Sequence, residues 1–166
     1  MKTSPRTQTL EWIASCDPGW SGGFAWYEEG TLYTLSMPQH PEEIAELFSK
    51  GPLCSKSTLI IEAVQGYIGS AHPGSAMFKF GYNYGLVIGS ALNAGLNVLT
   101  ASPQKWQRAL GLPKRQEFTT EAKRKAALKR KVQALYPFAR ITLQTSDAAL
   151  MLHSFNIQPE LWTPLH

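Results

Sequence analysis

The sequence has two cysteines, four histidines and no apolar run near the eighteen or so residues that a membrane-spanning helix needs. Cys16 and Cys54 are too few and too isolated for a disulfide framework or a cysteine-based zinc site, and they read as reduced, buried thiols. His40, His72, His153 and His166 show no metal-ligand spacing. At the N-terminus, Lys2 and Arg6 are not followed by the apolar stretch of a secretory signal, so the expectation is a soluble, intracellular protein. No membrane association and no small-molecule cofactor are expected.

What is present suits one domain. The 166 residues are 43% hydrophobic and 17% charged, enough for a real core, so residues 1–166 are read as a single unit with 1–8 and 157–166 as flexible or peripheral ends. The net charge of +4 hides an uneven distribution. Residues 105–131 hold ten basic side chains against Glu117 and Glu121, giving +8 there and −4 elsewhere. A local positive field of that kind suits a polyanion such as nucleic acid, because each neutralised phosphate releases counterions. A solvated helical face is the alternative.

Along the chain, residues 9–16 read as a strand that stops at the turn signature Asp17-Pro18-Gly19. Residues 24–28 and 32–37 read as two further strands in hairpin series, with a turn at Gly30. Pro41 opens a helix with Glu42 and Glu43 near its positive end, and Gly51-Pro52 ends it. Residues 58–63 form a β-branched run expected to be buried on both faces, with Glu62 as its one charge. A glycine-rich loop at 65–75 leads to a helix at 76–94, a strand at 97–100 and a turn at Pro103-Gln104-Lys105-Trp106. A basic helix at 120–135, a short strand at 141–143 and a closing helix at 147–155 complete the series. Strands in meander followed by alternating helix and strand predict a mixed α/β sheet with helices on both faces.

Three carboxylates stand at element ends amid apolar sequence: Asp17, Glu62 and Asp147. Asp17 suits a turn and Asp147 suits a helix N-terminus without further function. Glu62 is different, because a carboxylate inside an apolar strand is costly to bury without a partner or a cation. A hard divalent cation would be such a partner. In two-metal phosphodiester cleavage the ions lie roughly 3.5–4 Å apart. Mg²⁺ prefers oxygen ligands and keeps several waters, so a few carboxylates from separate elements suffice.

Those residues, in their order, carry a resemblance. Asp17-Pro18-Gly19 with Ser21-Gly22-Gly23-Phe24-Ala25, then Ile60-Ile61-Glu62, then Asp147-Ala148-Ala149-Leu150, resembles the RuvC-like Holliday junction resolvases, and most nearly their phage and chloroplast branch. Phe80-Gly81-Tyr82-Asn83-Tyr84-Gly85 and Ser102-Pro103-Gln104-Lys105-Trp106 are similar to segments of that branch, and the likeness runs from about Glu11 to Phe155. It implies a ribonuclease H-like fold with a five-stranded mixed sheet, and a homodimer that nicks four-way DNA junctions with Mg²⁺, for which Mn²⁺ can substitute. Asp17, Glu62 and Asp147 would be catalytic and would carry the metals. The family commonly has a fourth ligand three residues before the last acid, where this chain has Gln144. The setting implied is the cytoplasm of a bacterium or of a phage-infected cell.

The residues themselves also suggest DNA-facing positions. Tyr67 and His72 stand in the loop after Glu62, followed by Lys79 at the next helix; an exposed Tyr67 would stack on an unpaired base, and a loop anchor is its other reading. Lys105, Arg108, Lys114 and Arg115 surround Trp106, and Lys123, Arg124 and Arg130 lie on the basic helix. Six basic residues there cannot share one face at 100° per residue. Ala122, Ala126, Lys129 and Val132 follow the apolar stripe. The resemblance implies Lys105 and Lys123 as phosphate contacts near the metals, because relatives carry a basic residue near each place. Gly81, Gly85 and Gly89 recur every four residues on the helix at 76–94. Glycine weakens a helix, so its repetition needs a reason. Either the strip packs tightly on the protein's own sheet or, as the resemblance favours, it meets its copy in a two-fold dimer. The expected function is junction resolution. A ribonuclease H or exonuclease of the same fold, or a junction-binding protein weakened by Gln144, are the alternatives.

Overall fold

The computed structural model describes residues 10–64 and 74–165. The described elements run β1 (Ile13–Asp17), β2 (Gly23–Glu28), β3 (Thr31–Ser36), α1 (Pro41–Ser49), β4 (Thr58–Glu62), α2 (Gly74–Asn93), β5 (Asn97–Ala101), α3 (Pro103–Ala109), α4 (Glu121–Leu135), α5 (Ser146–Ile157) and β6 (Thr163–Pro164). The sheet order is β3-β2-β1-β4-β5-β6. β1, β2 and β3 pair antiparallel as the meander expected from sequence, whereas β4 joins β1 and β5 joins β4 in parallel.

Period-two alternation sends successive side chains of β1 and β4 to opposite faces. Ala14, Cys16, Leu59 and Ile61 pack beneath α1 and α2, with Ile44, Phe48 and Val87. Ile13 and Ile60 pack on the other face, with Trp106 of α3, Leu128 and Val132 of α4 and the apolar residues of α5. The result is the expected mixed sheet between two helical layers. α5 is buried on nearly every side, from Ser146 to Leu152, so it is the central helix of its layer.

Three expectations are corrected. Among the described residues the sheet has six strands, not five, because Thr163 and Pro164 add an edge strand to β5 and Leu165 N–H donates to the Val98 carbonyl at 3.0 Å. Trp162 is buried beside that edge, an anchor that the chain end's composition does not reveal. Residues 141–143 form no strand, because Thr142 and Thr145 bond each other's backbone and side chain in a tight turn. Pro103-Gln104-Lys105-Trp106 is the start of α3 rather than a turn: Pro103 occupies the first helical turn, and Trp106 is fully buried.

Candidate active site

The parallel register sets Cys16 beside Ile61, which puts Asp17 and Glu62 at the carboxyl ends of neighbouring strands, one residue further on. Both lie in phase with Ser15 and Ile60, on the α5 face of the sheet. Ligand sites of open α/β sheets lie at this end. Ser15 secures the third acid. Its buried hydroxyl lies 2.7 Å from the Ala148 carbonyl and 3.2 Å from the Ala25 carbonyl, so the first turn of α5, and Asp147 with it, is tied to β1.

The turn that carries Asp17 is held from two sides. Gly22 N–H donates to the Gly19 carbonyl at 2.8 Å, closing the turn. A β-carbon on Gly22 would stand 2.2 Å from the Asp17 carbonyl oxygen and 2.8 Å from its side-chain carboxyl carbon, so only glycine fits. From α2, the buried Asn83 amide donates to the Pro18 carbonyl at 2.6 Å. Trp20 donates its indole N–H to the Lys79 carbonyl at 3.2 Å.

The electrostatics are those of acids short of cations. Burial, and then repulsion from Asp147, raise the Asp17 pKa despite the opposing pull of Lys125. Burial, and then the charge of Asp17, push Glu62 up to about 7, although the Trp106 indole donates to its Oε2 at 3.0 Å. Burial works against the charge of Lys125, yet Asp147 and Asp17 hold its pKa above the ordinary lysine value. Its Nζ donates to Asp147 Oδ2 and lies 3.5 Å from Asp17 Oδ2, so an ammonium stands between two of the three acids. Arg124 lies 3.8 Å from Asp147 but is committed to Glu121, with its Nε and Nη2 donating to Oε1 at 3.0 and 2.8 Å.

The donor set, three carboxylates with no sulfur, is the kind a hard divalent cation takes, and the ammonium between Asp17 and Asp147 shows that a positive charge is accommodated there. As they stand, no three acidic, histidine or cysteine groups among the described residues form an ion-holding cluster. Gln144 is exposed in the turn before α5 and brings no fourth acid.

The basic residues divide. A groove of about 1030 Å³ opens beside Glu62, lined among others by Phe80, Arg108, Lys114, Arg115 and Arg124. Lys79, Lys105, Lys123 and Arg130 are exposed and make no ion pair with the acids among the described residues. Among the described residues the cations that pair with Asp17 and Asp147 are Arg124 and Lys125, while Lys105 and Lys123 stay exposed. The apolar stripe of α4 is Leu128 and Val132, not Ala122 and Ala126. Counting back three and four residues from Leu128 reaches Lys125 and Arg124, a signal present in the sequence. The partnership of Trp106 with Glu62 carried no such signal. Tyr67 and His72 lie outside the described residues.

On α2, the buried residues are Asn83, Val87 and Ala91, and Gly81, Gly85 and Gly89 lie on the opposite, exposed side. A β-carbon at any of the three would meet nothing within 4 Å. Packing on the protein's own sheet therefore does not explain the strip. Beside it a groove of about 720 Å³ runs between α1 and α2, lined by Phe48, Cys54, Gly85, Leu86 and Gly89 among others. The expected burial of both cysteines is corrected here: Cys16 is buried in the sheet, whereas Cys54 is exposed at this groove.

No family model and no curated protein sequence matches the chain. Solved structures do. The chain is similar to Thermus thermophilus RuvC in complex with a Holliday junction substrate, at TM-score 0.60 and 17% identity over 92% of this chain and 98% of that one. A second Thermus thermophilus RuvC structure is similar at TM-score 0.58 and 18% identity, over 92% and 99%. With its strand order, its two helical layers and its acids at the ends of β1, β4 and the start of α5, this chain has the RuvC-type, ribonuclease H-like fold.

Proposed function

We propose that this protein is a divalent-metal-dependent DNA endonuclease that resolves four-way junctions as a homodimer. The observation that carries the reading is the meeting of Asp17, Glu62 and Asp147 at one end of the sheet, with a basic groove opening beside Glu62. These three residues would hold Mg²⁺, with Mn²⁺ able to substitute; bound ions supply an activated water and stabilise the leaving oxygen. The chain's own contributions are positional. Ser15 and Gly22 fix where Asp147 and Asp17 stand, and Trp106 orients Glu62 through its indole N–H. Arg108, Lys114, Arg115 and Arg124 line the groove that would receive the phosphates of the strand. Lys79, Lys105, Lys123 and Arg130, exposed outside it, would hold the junction arms at longer range. The outward glycine strip of α2 supports a two-fold contact through Gly81, Gly85 and Gly89, a surface that admits another backbone closely. The cytoplasm of a bacterium or phage-infected cell is the setting this reading implies.

A synthetic mobile four-way junction, incubated with purified protein and Mg²⁺, should receive symmetric nicks in two opposed strands, and Asp17→Asn should abolish them. An RNA–DNA hybrid cut faster than the junction would instead indicate a ribonuclease H. Junction binding in EDTA with no cutting on return of Mg²⁺ would indicate a binding protein without turnover. For the dimer, Gly85→Leu should leave the fold intact and shift the light-scattering mass to that of one chain.

A further inference from the structure

We infer that Lys125 is an exchangeable internal cation: its ammonium occupies the place between Asp17 and Asp147 and must leave when a divalent ion enters, so it weakens metal binding. The inference rests on the reading of these acids as metal ligands. Lys125 Nζ contacts both carboxylates, whereas no cluster of three acids open to an ion exists beside it among the described residues. Among the described residues two cations reach this place, and they are not alike. Arg124 is locked by its fork onto Glu121, itself 3.6 Å from Arg115, so it stays. Among the described residues Lys125 is held by Asp147 and Asp17 alone, and it carries a compact charge on a flexible four-carbon stem. Leu128 and Val132 anchor α4 in the core, so the ammonium can swing away while the helix stays in place.

The exchange has a definite sign. A divalent ion brings twice the charge of an ammonium to the same two oxygens and can also engage Glu62, so entry is favourable. It must still displace a bonded cation from a partly buried place where charge interactions are stronger than in water. Removing the ammonium without altering the acids should therefore raise metal affinity. It should also leave the metal-free protein with Asp17 and Asp147 facing each other uncompensated.

The test measures Mn²⁺ binding directly, by the electron paramagnetic resonance of the free ion, with thermal melting in EDTA alongside. Lys125→Met should bind Mn²⁺ at least tenfold more tightly than wild type and melt lower in EDTA. Lys125→Arg, which keeps a cation, should stay near wild type. Lys129→Met, which removes the same charge one turn further along α4, should change affinity less than about twofold. Equal or weaker Mn²⁺ binding by folded Lys125→Met overturns the inference. Asp17→Asn separates the two levels: if it binds Mn²⁺ as wild type does, the metal-ligand reading falls and the exchange with it. If Asp17→Asn loses binding while Lys125→Met is unchanged, only the exchange falls. Should Lys125→Met not fold, a wild-type crystal grown with Mn²⁺ decides. Anomalous density between Asp17 and Asp147 with Lys125 turned away supports the exchange; no density there, or Lys125 still in place, overturns it.

Discussion

Replacing Glu62 by glutamine should stabilise the metal-free protein at alkaline pH while removing its metal response. The Glu62 carboxyl is pushed from an ordinary 4.5 up to about 7, by burial first and by the charge of Asp17 second. A group whose pKa is raised by folding favours the fold while it is protonated in both states, below its unfolded value. That advantage is lost as pH rises through the folded value. The window is thus about pH 4.5 to 7, and the full penalty of the buried anion, about 3 kcal/mol from a pKa change of this size, is felt above it. Glutamine carries no charge and retains an oxygen to accept from the Trp106 indole, so it should recover about 1–3 kcal/mol at pH 8.5 after allowance for solvent around the group. For a domain of this length that is roughly 3–10 °C in melting temperature. The assay is thermal denaturation in EDTA at half-unit steps from pH 4 to 8.5, wild type against Glu62→Gln. The two curves should coincide near pH 4, separate between about pH 4.5 and 7, and run parallel above that. Added Mg²⁺ should then raise the wild-type melting temperature at pH 8.5 and leave the variant unmoved. A difference that does not depend on pH, or a variant less stable than wild type at pH 8.5, would refute the argument that Glu62 is a strained carboxylate.

Three further outcomes follow from the geometry. Ser15→Ala removes the hydroxyl that ties β1 to the first turn of α5, and should cost about 1–3 kcal/mol in urea denaturation. It should slow nicking while junction affinity holds; unchanged nicking would mean that Asp147 is positioned by other means. Gly22→Ala places a β-carbon within 2.2 Å of the Asp17 carbonyl oxygen, so the turn must shift at a cost of about 1–3 kcal/mol, with nicking lost even where the protein remains folded. Wild-type nicking by Gly22→Ala would show that the placement of Asp17 is not critical. Arg108→Ala with Lys114→Ala should lower the slope of log affinity against log salt for the junction by about 2, near 0.9 per phosphate contact. A slope equal to wild type would exclude the groove as the DNA path.

The sequence alone determined five of the six described strands, most of the helices and the place of three acids at element ends, because each rests on local chemistry. A β-branched run that ends in a lone carboxylate, a Pro-Gly turn after an acid, and a proline that opens a helix are legible wherever they occur. The glycine strip was legible as an anomaly, but its direction was not: its exposure depends on Asn83, Val87 and Ala91 taking the opposite side of α2 against the sheet. Likewise the edge strand at Thr163 and Pro164 exists only because Trp162 finds a buried place beside β5. The neighbours of the acids belong to tertiary structure as well. The resemblance pointed to Lys105 and Lys123 as phosphate contacts, but which cations pair with the acids follows from packing: Leu128 and Val132 turn α4 so that Arg124 and Lys125 face Asp147. Trp106 reaches Glu62 only through the pairing of β4 with β5 and the turn into α3. Acids announce themselves by their cost in apolar sequence, while the groups that balance them are chosen by which faces the core has already claimed.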